Sequence, residues 1–276
     1  MVKKYTKIPN LKVGAVQLNS TEDLNDNLKI VSNLIEELDE LPDVLVLPEM
    51  FNYRKSSKKG ENYSESHDGQ TIKWLRQLSK NKSIWIIAGS LSEKHKTETK
   101  SYNTCFVLNP NGELVDAYRK IHLFDVNIEN STIQESNHYL PGEKPVIVEI
   151  NGWRIGITIC YDLRFSELFQ YYFNNETDMI VIPSSFTYET GKLHWHVLCK
   201  ARAIENQCYI VAPNQYGLGA GGKKTFGHSL IVNPNGEIIN EEEKEVSSII
   251  ISDLIHDEIT LFRKKVPVRE HKKRLN

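Results

Sequence analysis

Strand-like and helix-like segments alternate along the whole chain, and this feature most restricts the fold. Short apolar runs such as residues 11–18 and 44–50 predict strands. Between them, residues 21–41 show helical periodicity, with Thr21 as the expected N-cap. Such alternation predicts an α/β fold rather than an all-α or all-β protein.

Three Asn-Gly pairs, Asn111-Gly112, Asn151-Gly152 and Asn235-Gly236, each lie between strand-like runs. Asn-Gly is a strong signal for a β-hairpin, which joins antiparallel strands. Hairpins mixed with crossover helices therefore predict mixed sheets covered by helices, not one all-parallel sheet. No linker, low-complexity segment or change of composition divides the chain, so we expect one domain over residues 1–276.

The remaining elements follow from the same periodicities. Strands are predicted at residues 83–90, 102–109, 113–119, 146–150, 153–160, 179–186, 208–214, 226–233 and 249–253. Helices are predicted at residues 68–80, 164–173 and 192–205. The long segment 121–144 is predicted to be a polar loop.

The composition narrows the class of protein. Lys plus Arg (34) nearly balance Asp plus Glu (36), so no nucleic-acid surface is indicated. The longest apolar runs have the length of strands, which predicts no membrane span. Residues 1–10 hold three lysines and no apolar signal region, and the four cysteines show no CxxC spacing. We expect a cytoplasmic protein.

The segment 156–165, Gly-Ile-Thr-Ile-Cys-Tyr-Asp-Leu-Arg-Phe, has an apolar run that ends on Cys160. The last residue of such a strand lies at the carboxyl edge of a sheet, where α/β proteins bind ligands. A thiol there, close to Arg164 and to backbone N–H groups, is a candidate nucleophile. Taken alone, however, a free cysteine is more often a small buried core residue.

Three other charged residues are candidate partners. Glu49 ends a run of five apolar residues, where a carboxylate is costly to desolvate unless it is paired or used as a base. Lys120 follows the strand 113–119, and its ammonium can stabilise an oxyanion. Glu135 lies in the long polar loop. Each of them, taken alone, is equally compatible with an ordinary surface residue.

Taken together, these segments resemble the three signature segments of the nitrilase superfamily of carbon–nitrogen hydrolases. They are Leu47-Pro48-Glu49, the run Tyr-Arg-Lys-Ile-His-Leu-Phe-Asp at 118–125, and Ile-Cys-Tyr-Asp-Leu-Arg-Phe at 159–165. Further similarity is found at residues 183–186, 190–195, 201–206 and 227–236, so it covers nearly the whole chain. The resemblance implies a four-layer αββα sandwich of two mixed sheets.

The resemblance also implies roles for single residues. Glu49 would be the general base, and Cys160 the nucleophile that forms a thioester acyl-enzyme. Lys120 and the backbone N–H of Tyr161 would hold the oxyanion. Glu135 matches a second family glutamate that supports the lysine or contacts the leaving amine. No metal or cofactor is expected.

The residues after the nucleophile indicate the kind of substrate. Nitrile-cleaving members carry Cys-Trp-Glu, whereas this chain has Cys160-Tyr161-Asp162, which favours amides. The motifs look most like the Nit subfamily of omega-amidases and deaminated-glutathione amidases, and residues 201–211 look slightly more like the latter. The expected reaction is hydrolysis of a terminal amide to acid plus ammonia or amine. An N-carbamoyl amino acid amidohydrolase and a catalytically silent interaction protein are the alternatives.

Both kinds of amide carry carboxylates, so a second cation is expected in the pocket. Arg164 is the candidate because a guanidinium grips a carboxylate with two parallel hydrogen bonds. A structural pair of Arg164 with Asp162 or Glu167 is an equal alternative. The resemblance further implies substrate contacts from Tyr161, Ser185 and Phe186, and a homodimer formed through residues 164–173 and 266–275.

Two other patterns are weighed against this interpretation. Gly217-Leu-Gly219-Ala-Gly-Gly222 matches GxGxxG, but the segment after it reads as a strand and not as the helix that a nucleotide site needs. A mobile glycine loop beside the active site is therefore favoured. His194 and His196 are two apart on a predicted helix and do not share a face, so they are not expected to bind a metal together.

Overall fold

A computed structural model describes residues 7–55, 63–128, 131–219 and 222–273, and two large β-sheets dominate it. The strands of the first sheet are β1 (Leu11–Gln17), β2 (Val44–Val46), β3 (Trp85–Lys94), β4 (Ser101–Leu108), β5 (Leu114–Arg119), β8 (Tyr139–Leu140) and β17 (Ser248–Leu254). Those of the second are β9 (Val146–Ile150), β10 (Trp153–Ile157), β11 (Met179–Val181), β12 (Tyr209–Ala212), β15 (Ser229–Val232) and β16 (Ile238–Glu242). Two small hairpins add β6 (Asp125–Ile128) with β7 (Ser131–Gln134), and β13 (Tyr216–Leu218) with β14 (Lys224–Phe226).

Both sheets are mixed, as predicted, and they follow the same pattern. The first has the order β17-β1-β2-β3-β4-β5, with β8 paired to β4. The second has the order β16-β15-β12-β11-β10-β9. In each, three parallel strands form the centre (β1-β2-β3 and β10-β11-β12), and antiparallel strands flank them.

Successive residues of the first sheet point to opposite faces, and both faces are apolar. Leu45 and Ile86 pack against one side, whereas Val44, Val46 and Ile87 pack against the other. A strand buried on both faces reads as a continuous apolar run, which explains why these segments show no alternation in the sequence.

Six helices complete the described part of the chain: α1 (Leu24–Glu36), α2 (Gln70–Lys82), α3 (Ser166–Asn174), α4 (Tyr188–Asn206), α5 (His256–Lys265) and α6 (Val268–His271). α1 and α2 cover the outer face of the first sheet. α3 and α4 pack with the second sheet in the same core cluster that joins the two sheets. The order of layers is therefore α-β-β-α, which confirms the predicted fold class. No helix in the described ranges is long and apolar enough to cross a membrane.

Several predicted boundaries were wrong. The first helix is capped by Asp23, whose carboxylate accepts a hydrogen bond from the N–H of Asp26, and not by Thr21. The predicted loop at 121–144 contains β6, β7, β8 and a 3₁₀ turn. These short strands were not predicted because their described residues are exposed or only half-buried, so no apolar pattern marks them in the sequence.

The predicted strand at residues 226–233 is divided in the structure. Phe226 ends β14 and Ser229 begins β15, because Gly227 and His228 both have positive φ, +70° and +56°. The predicted helix at 164–173 begins later, at Ser166, after a 3₁₀ turn over Cys160–Arg164. These local breaks arise where the chain must turn at the edge of a sheet.

Candidate active site

Three of the predicted catalytic side chains lie just beyond the carboxyl ends of strands, where the two sheets face each other. β2 ends three residues before Glu49, and β10 ends three residues before Cys160. Lys120 directly follows β5. Because carboxyl ends of parallel strands meet at one edge of a sheet, segments far apart in sequence converge there.

Glu49 is buried and held by three donors. Its Oε1 accepts hydrogen bonds from Lys120 Nζ at 2.9 Å and from Asn103 Nδ2 at 2.9 Å. Its Oε2 accepts one from the backbone N–H of Ser185 at 2.9 Å. The carboxylate therefore has a fixed orientation, as a positioned base requires.

Lys120 lies between two carboxylates. Its ammonium is 2.9 Å from Glu49 and 2.9 Å from Glu135, and its side chain is only 2% exposed. Burial by itself lowers the pKa of Lys120, but the charges of Glu135 and Glu49 outweigh it and raise that pKa well above its usual value. The side chain is thus a permanent cation beside Cys160.

Glu135 begins the 3₁₀ turn Glu135–Asn137, inside the segment predicted to be a loop. Its Oε2 accepts a 2.6 Å hydrogen bond from the backbone N–H of Phe124, and its Oε1 accepts one from Asn103 at 3.1 Å. These donors hold the carboxylate against Lys120. The structure therefore brings together all four residues of the predicted catalytic set.

Cys160 is almost completely buried, and its φ of +46° is unusual for a residue other than glycine. Its backbone N–H donates to the carbonyl of Pro183 at 2.9 Å. Burial and then the charge of Glu49 raise the pKa of Cys160 well above its usual value, although Lys120 lowers it. A thiol whose pKa is raised needs a base to take its proton before it can act as a nucleophile.

Tyr161 follows Cys160 in the 3₁₀ turn. The first hydrogen bond of that turn runs from the N–H of Asp162 to the carbonyl of Ile159, so the N–H of Tyr161 precedes the hydrogen-bonded part. Its ring meets Phe124 and Phe165 edge to face, at 4.8 and 5.2 Å between centroids. The backbone N–H of Tyr161 is therefore a donor directly beside the sulfur of Cys160.

Asp162 is fully buried and holds the 3₁₀ turn Cys160–Arg164 in place. Its carboxylate accepts hydrogen bonds from the hydroxyl of Tyr118 at 2.6 Å and from the backbone N–H of Ile159 at 2.9 Å. The backbone and the ring of His122 lie at 3.0 and 2.7 Å. Asp162 thus anchors the turn that contains Cys160. From the sequence, Asp162 was considered only as a partner for Arg164.

Asn103 is a second residue that sequence reasoning missed. It lies on β4, is 1% exposed, and donates to both Glu49 and Glu135. Its Oδ1 is buried and has no hydrogen-bond partner among the described residues. The available signal was an asparagine in a predicted strand directly before the apolar run of residues 105–108, since a buried amide needs a polar partner.

Arg164 points toward the same cavity. Its guanidinium lies 5.1 Å from the centre of the Phe186 ring and 3.2 Å from Nδ1 of His194. The arginines that form ion pairs within the described ranges are Arg119, Arg202 and Arg263, and no such pair joins Arg164 to Asp162 or Glu167, the partners of the alternative interpretation. A cation without a carboxylate partner remains able to bind one from a ligand.

These side chains line one cavity of about 860 Å³. Cys160, Glu49 and Lys120 lie in its wall, as do the four residues predicted to touch substrate: Tyr161, Arg164, Ser185 and Phe186. The volume lies in the range of sites that enclose small-molecule ligands. Gly219 reaches the rim, while residues 220 and 221 of the predicted glycine loop lie outside the described residues.

The fold and this cavity define a class: an α/β sandwich enzyme in which a cysteine faces a glutamate and a lysine. The carbon-nitrogen hydrolase family model matches residues 12–264, and the chain belongs to this family. The resemblance inferred from the motifs is therefore confirmed.

Three relatives illustrate the similarity. Omega-amidase NIT3 of Saccharomyces cerevisiae is 34% identical over 95% of this chain and 93% of its own length. The deaminated glutathione amidase of Synechocystis is 33% identical over 94% of this chain and 97% of its own length. The crystal structure of the C. elegans NitFhit protein has a TM-score of 0.88 at 28% identity, with 97% of this chain and 66% of that chain covered.

Proposed function

We propose that this protein hydrolyses the terminal amide of a small carboxylate-bearing substrate to an acid and ammonia or an amine. The observation that carries the proposal is the convergence of Cys160, Glu49 and Lys120 in one buried cavity. Relatives named omega-amidase and deaminated glutathione amidase support an amide as the substrate.

The first half of the reaction forms a thioester. The carboxylate of Glu49 takes the thiol proton while Cys160 Sγ attacks the amide carbon. The carbonyl oxygen becomes an oxyanion, which accepts hydrogen bonds from Lys120 Nζ and from the N–H of Tyr161. When this intermediate collapses, the C–N bond breaks and Glu49 returns the proton to the leaving nitrogen.

The second half releases the acid. Glu49, again a carboxylate, takes a proton from water, and the resulting hydroxide attacks the thioester carbon. The same two donors hold the second oxyanion, and the C–S bond then breaks with return of the proton to sulfur. Glu135 keeps the ammonium of Lys120 in place throughout, since it binds Nζ through both oxygens at 3.1 and 2.9 Å.

Arg164 supports a substrate that carries a carboxylate. It lines the cavity that holds Cys160, and no carboxylate among the described residues forms an ion pair with it. The cavity of about 860 Å³ can enclose either kind of amide. The sequence of residues 201–211, which looks slightly more like the deaminated-glutathione amidases, favours deaminated glutathione over an omega-amide.

One experiment tests both the reaction and the role of Arg164. The purified protein is incubated with deaminated glutathione, alpha-ketoglutaramate, an N-carbamoyl amino acid and a simple nitrile, and the released acid and amine are quantified by mass spectrometry. We expect turnover of the amides only. In Arg164→Gln, kcat/KM for these amides falls at least about tenfold, whereas an uncharged ester analogue is affected less.

Three results would each contradict one part of this proposal. Turnover of the carbamoyl compound with release of carbon dioxide contradicts the amide assignment. Failure of every compound, with no acyl adduct on Cys160, contradicts the enzymatic function. An equal loss for charged and uncharged analogues in Arg164→Gln assigns that residue a structural role instead.

We also propose that the protein is a homodimer. Large apolar side chains are exposed on two neighbouring helices, namely Tyr171 on α3 and Leu193, Val197 and Ile204 on α4. Val266 and Val268 near the C-terminus are exposed as well. Sedimentation velocity at micromolar concentration is expected to give the mass of two chains, and a single-chain mass at every concentration contradicts the proposal.

A further inference from the structure

Two histidines and a glutamate form a compact cluster away from the catalytic cavity. His196 Nε2 lies 2.8 Å from Glu241 Oε1, and His228 Nδ1 lies 2.6 Å from the same oxygen. The three ligand atoms all lie within 4.8 Å of one another. None of the three residues lines the cavity that contains Cys160.

Each member of the cluster comes from a different element. His196 lies on α4, His228 lies in the turn between β14 and β15, and Glu241 lies on β16. Glu241 pairs with Leu230 across the β15–β16 ladder, two residues from His228, so its carboxylate lies beside the turn that carries His228. The helix carries His196 to the same place.

Packing holds the rings in this arrangement. His228 stacks on Phe226 with 4.3 Å between ring centroids, and His196 meets both rings edge to face. The indole N–H of Trp195 donates to the backbone carbonyl of His228 at 2.7 Å. The imidazoles are therefore positioned by apolar contacts and a backbone hydrogen bond, which fixes their orientation.

The carboxylate is a good anionic ligand. One of its oxygens, Oε1, faces both ring nitrogens, so a single ion bound between the rings meets the carboxylate as well. Neutral imidazole and ionised carboxylate are the forms that bind metals.

Two imidazoles and one carboxylate are also a ligand set for zinc and similar divalent ions, with water in the open position. Tetrahedral ligation at about 2.0–2.1 Å places ligand atoms about 3.3 Å apart. Glu241 Oε1, now 2.8 and 2.6 Å from the two ring nitrogens, has to move outward by less than about 1 Å, and the two rings adjust until their nitrogens have the same spacing. The side chains are 32%, 28% and 15% exposed, which leaves access for an ion and a water.

We propose that His196, His228 and Glu241 form a binding site for a divalent transition-metal ion of the zinc class. The ion lies between the carboxylate and the two rings, and each neutral ring binds it through the nitrogen that faces Glu241 and carries its N–H on the other nitrogen. It links α4 to the β14–β15 turn and to β16, and it thereby stabilises the packing of these three elements. α4 also carries Thr190 into the catalytic cavity and His194 against Arg164, so the site lies on a helix that supports the pocket.

The test uses cobalt(II) as a spectroscopic probe and zinc(II) as the competing ion. The full chain carries Cys160→Ser, so that the catalytic thiol offers no ligand, and no affinity tag. We expect one equivalent of cobalt(II) to produce ligand-field absorption, which zinc(II) removes. Zinc(II) is also expected to raise the melting temperature.

Two variants assign the signal to the cluster. In Glu241→Gln and in His196→Ala, the apparent Kd for zinc(II) is expected to rise at least about tenfold, with loss of the cobalt absorption. His271→Ala, which removes an exposed histidine of α6, is the matched control and is expected to bind as the parent does. Absence of the cobalt absorption in the parent, or equal binding by the cluster variants and the control, overturns the proposal.

Discussion

Replacement of Cys160 by alanine is expected to reduce kcat for the amide substrate by roughly a hundred-thousandfold or more. The sulfur is the atom that forms the thioester, and no neighbouring group can take its place. Alanine retains the Cβ, so the left-handed backbone of residue 160, at φ +46°, is unchanged. Steady-state release of ammonia or amine measures the effect.

Cys199→Ala is the matched control for this variant. Cys199 is also free and fully buried, but it lies on α4 in the hydrophobic core. Its loss is expected to cost about 1 kcal/mol of stability and to leave kcat nearly unchanged. Comparable turnover by Cys160→Ala and the parent protein contradicts the thioester mechanism. An acyl adduct found by mass spectrometry in the parent, and absent in the variant, supports it.

Replacement of Glu49 by glutamine is expected to lower kcat/KM by about a thousandfold, because the base that serves both halves of the reaction is lost. Glutamine has nearly the same shape, and its carbonyl oxygen still accepts a hydrogen bond from Lys120 or Ser185. The loss is therefore one of proton transfer and charge, rather than of packing.

The same variant changes the thiol in a direction that a merely structural defect does not produce. Burial and the charge of Glu49 raise the pKa of Cys160, and Lys120 lowers it. In Glu49→Gln the negative charge at position 49 is lost, so the pKa of Cys160 falls. The pH profile of alkylation by iodoacetamide therefore shifts to lower pH. We thus expect a more acidic thiol in an enzyme that scarcely turns over.

Asp178→Asn is the control for Glu49→Gln, since it also neutralises a buried carboxylate. Asp178 precedes β11 at the opposite end of the strand, where it binds Arg263 and the backbone of Arg154. This control is expected to reduce stability and to leave both kcat/KM and the alkylation profile unchanged. If the alkylation profile of Glu49→Gln matches that of the parent protein, the proposed effect of Glu49 on the pKa of Cys160 is contradicted.

The sequence predicted the parts of the site that follow a buried strand. Cys160 and Glu49 each end an apolar run, and Lys120 ends a third strand, so their position at a sheet edge follows from local pattern. Glu135 was placed only by family resemblance, because the segment around it shows no hydrophobic periodicity. Asn103 and the anchoring role of Asp162 were missed, since both depend on partners from other elements.

Local pattern likewise misplaced helix and strand ends. The cap at Asp23 and the break of the predicted strand at His228 depend on backbone conformation at single residues, which periodicity does not describe. The three turns containing Asn-Gly were predicted because that dipeptide adopts the required conformations at low cost, and Gly112, Gly152 and Gly236 all have positive φ.

The sequence by itself determined the α/β class, the mixed sheets, the family motifs and the candidate nucleophile, because these depend on residue types at short spacing. Only the tertiary structure decided which side chains meet. It brought Glu49 and Glu135 each to 2.9 Å from Lys120, and it brought His196 from a helix to His228 in a turn and Glu241 on a strand. These contacts join residues 13 to 71 positions apart, and they exist only once both sheets and their helices have packed.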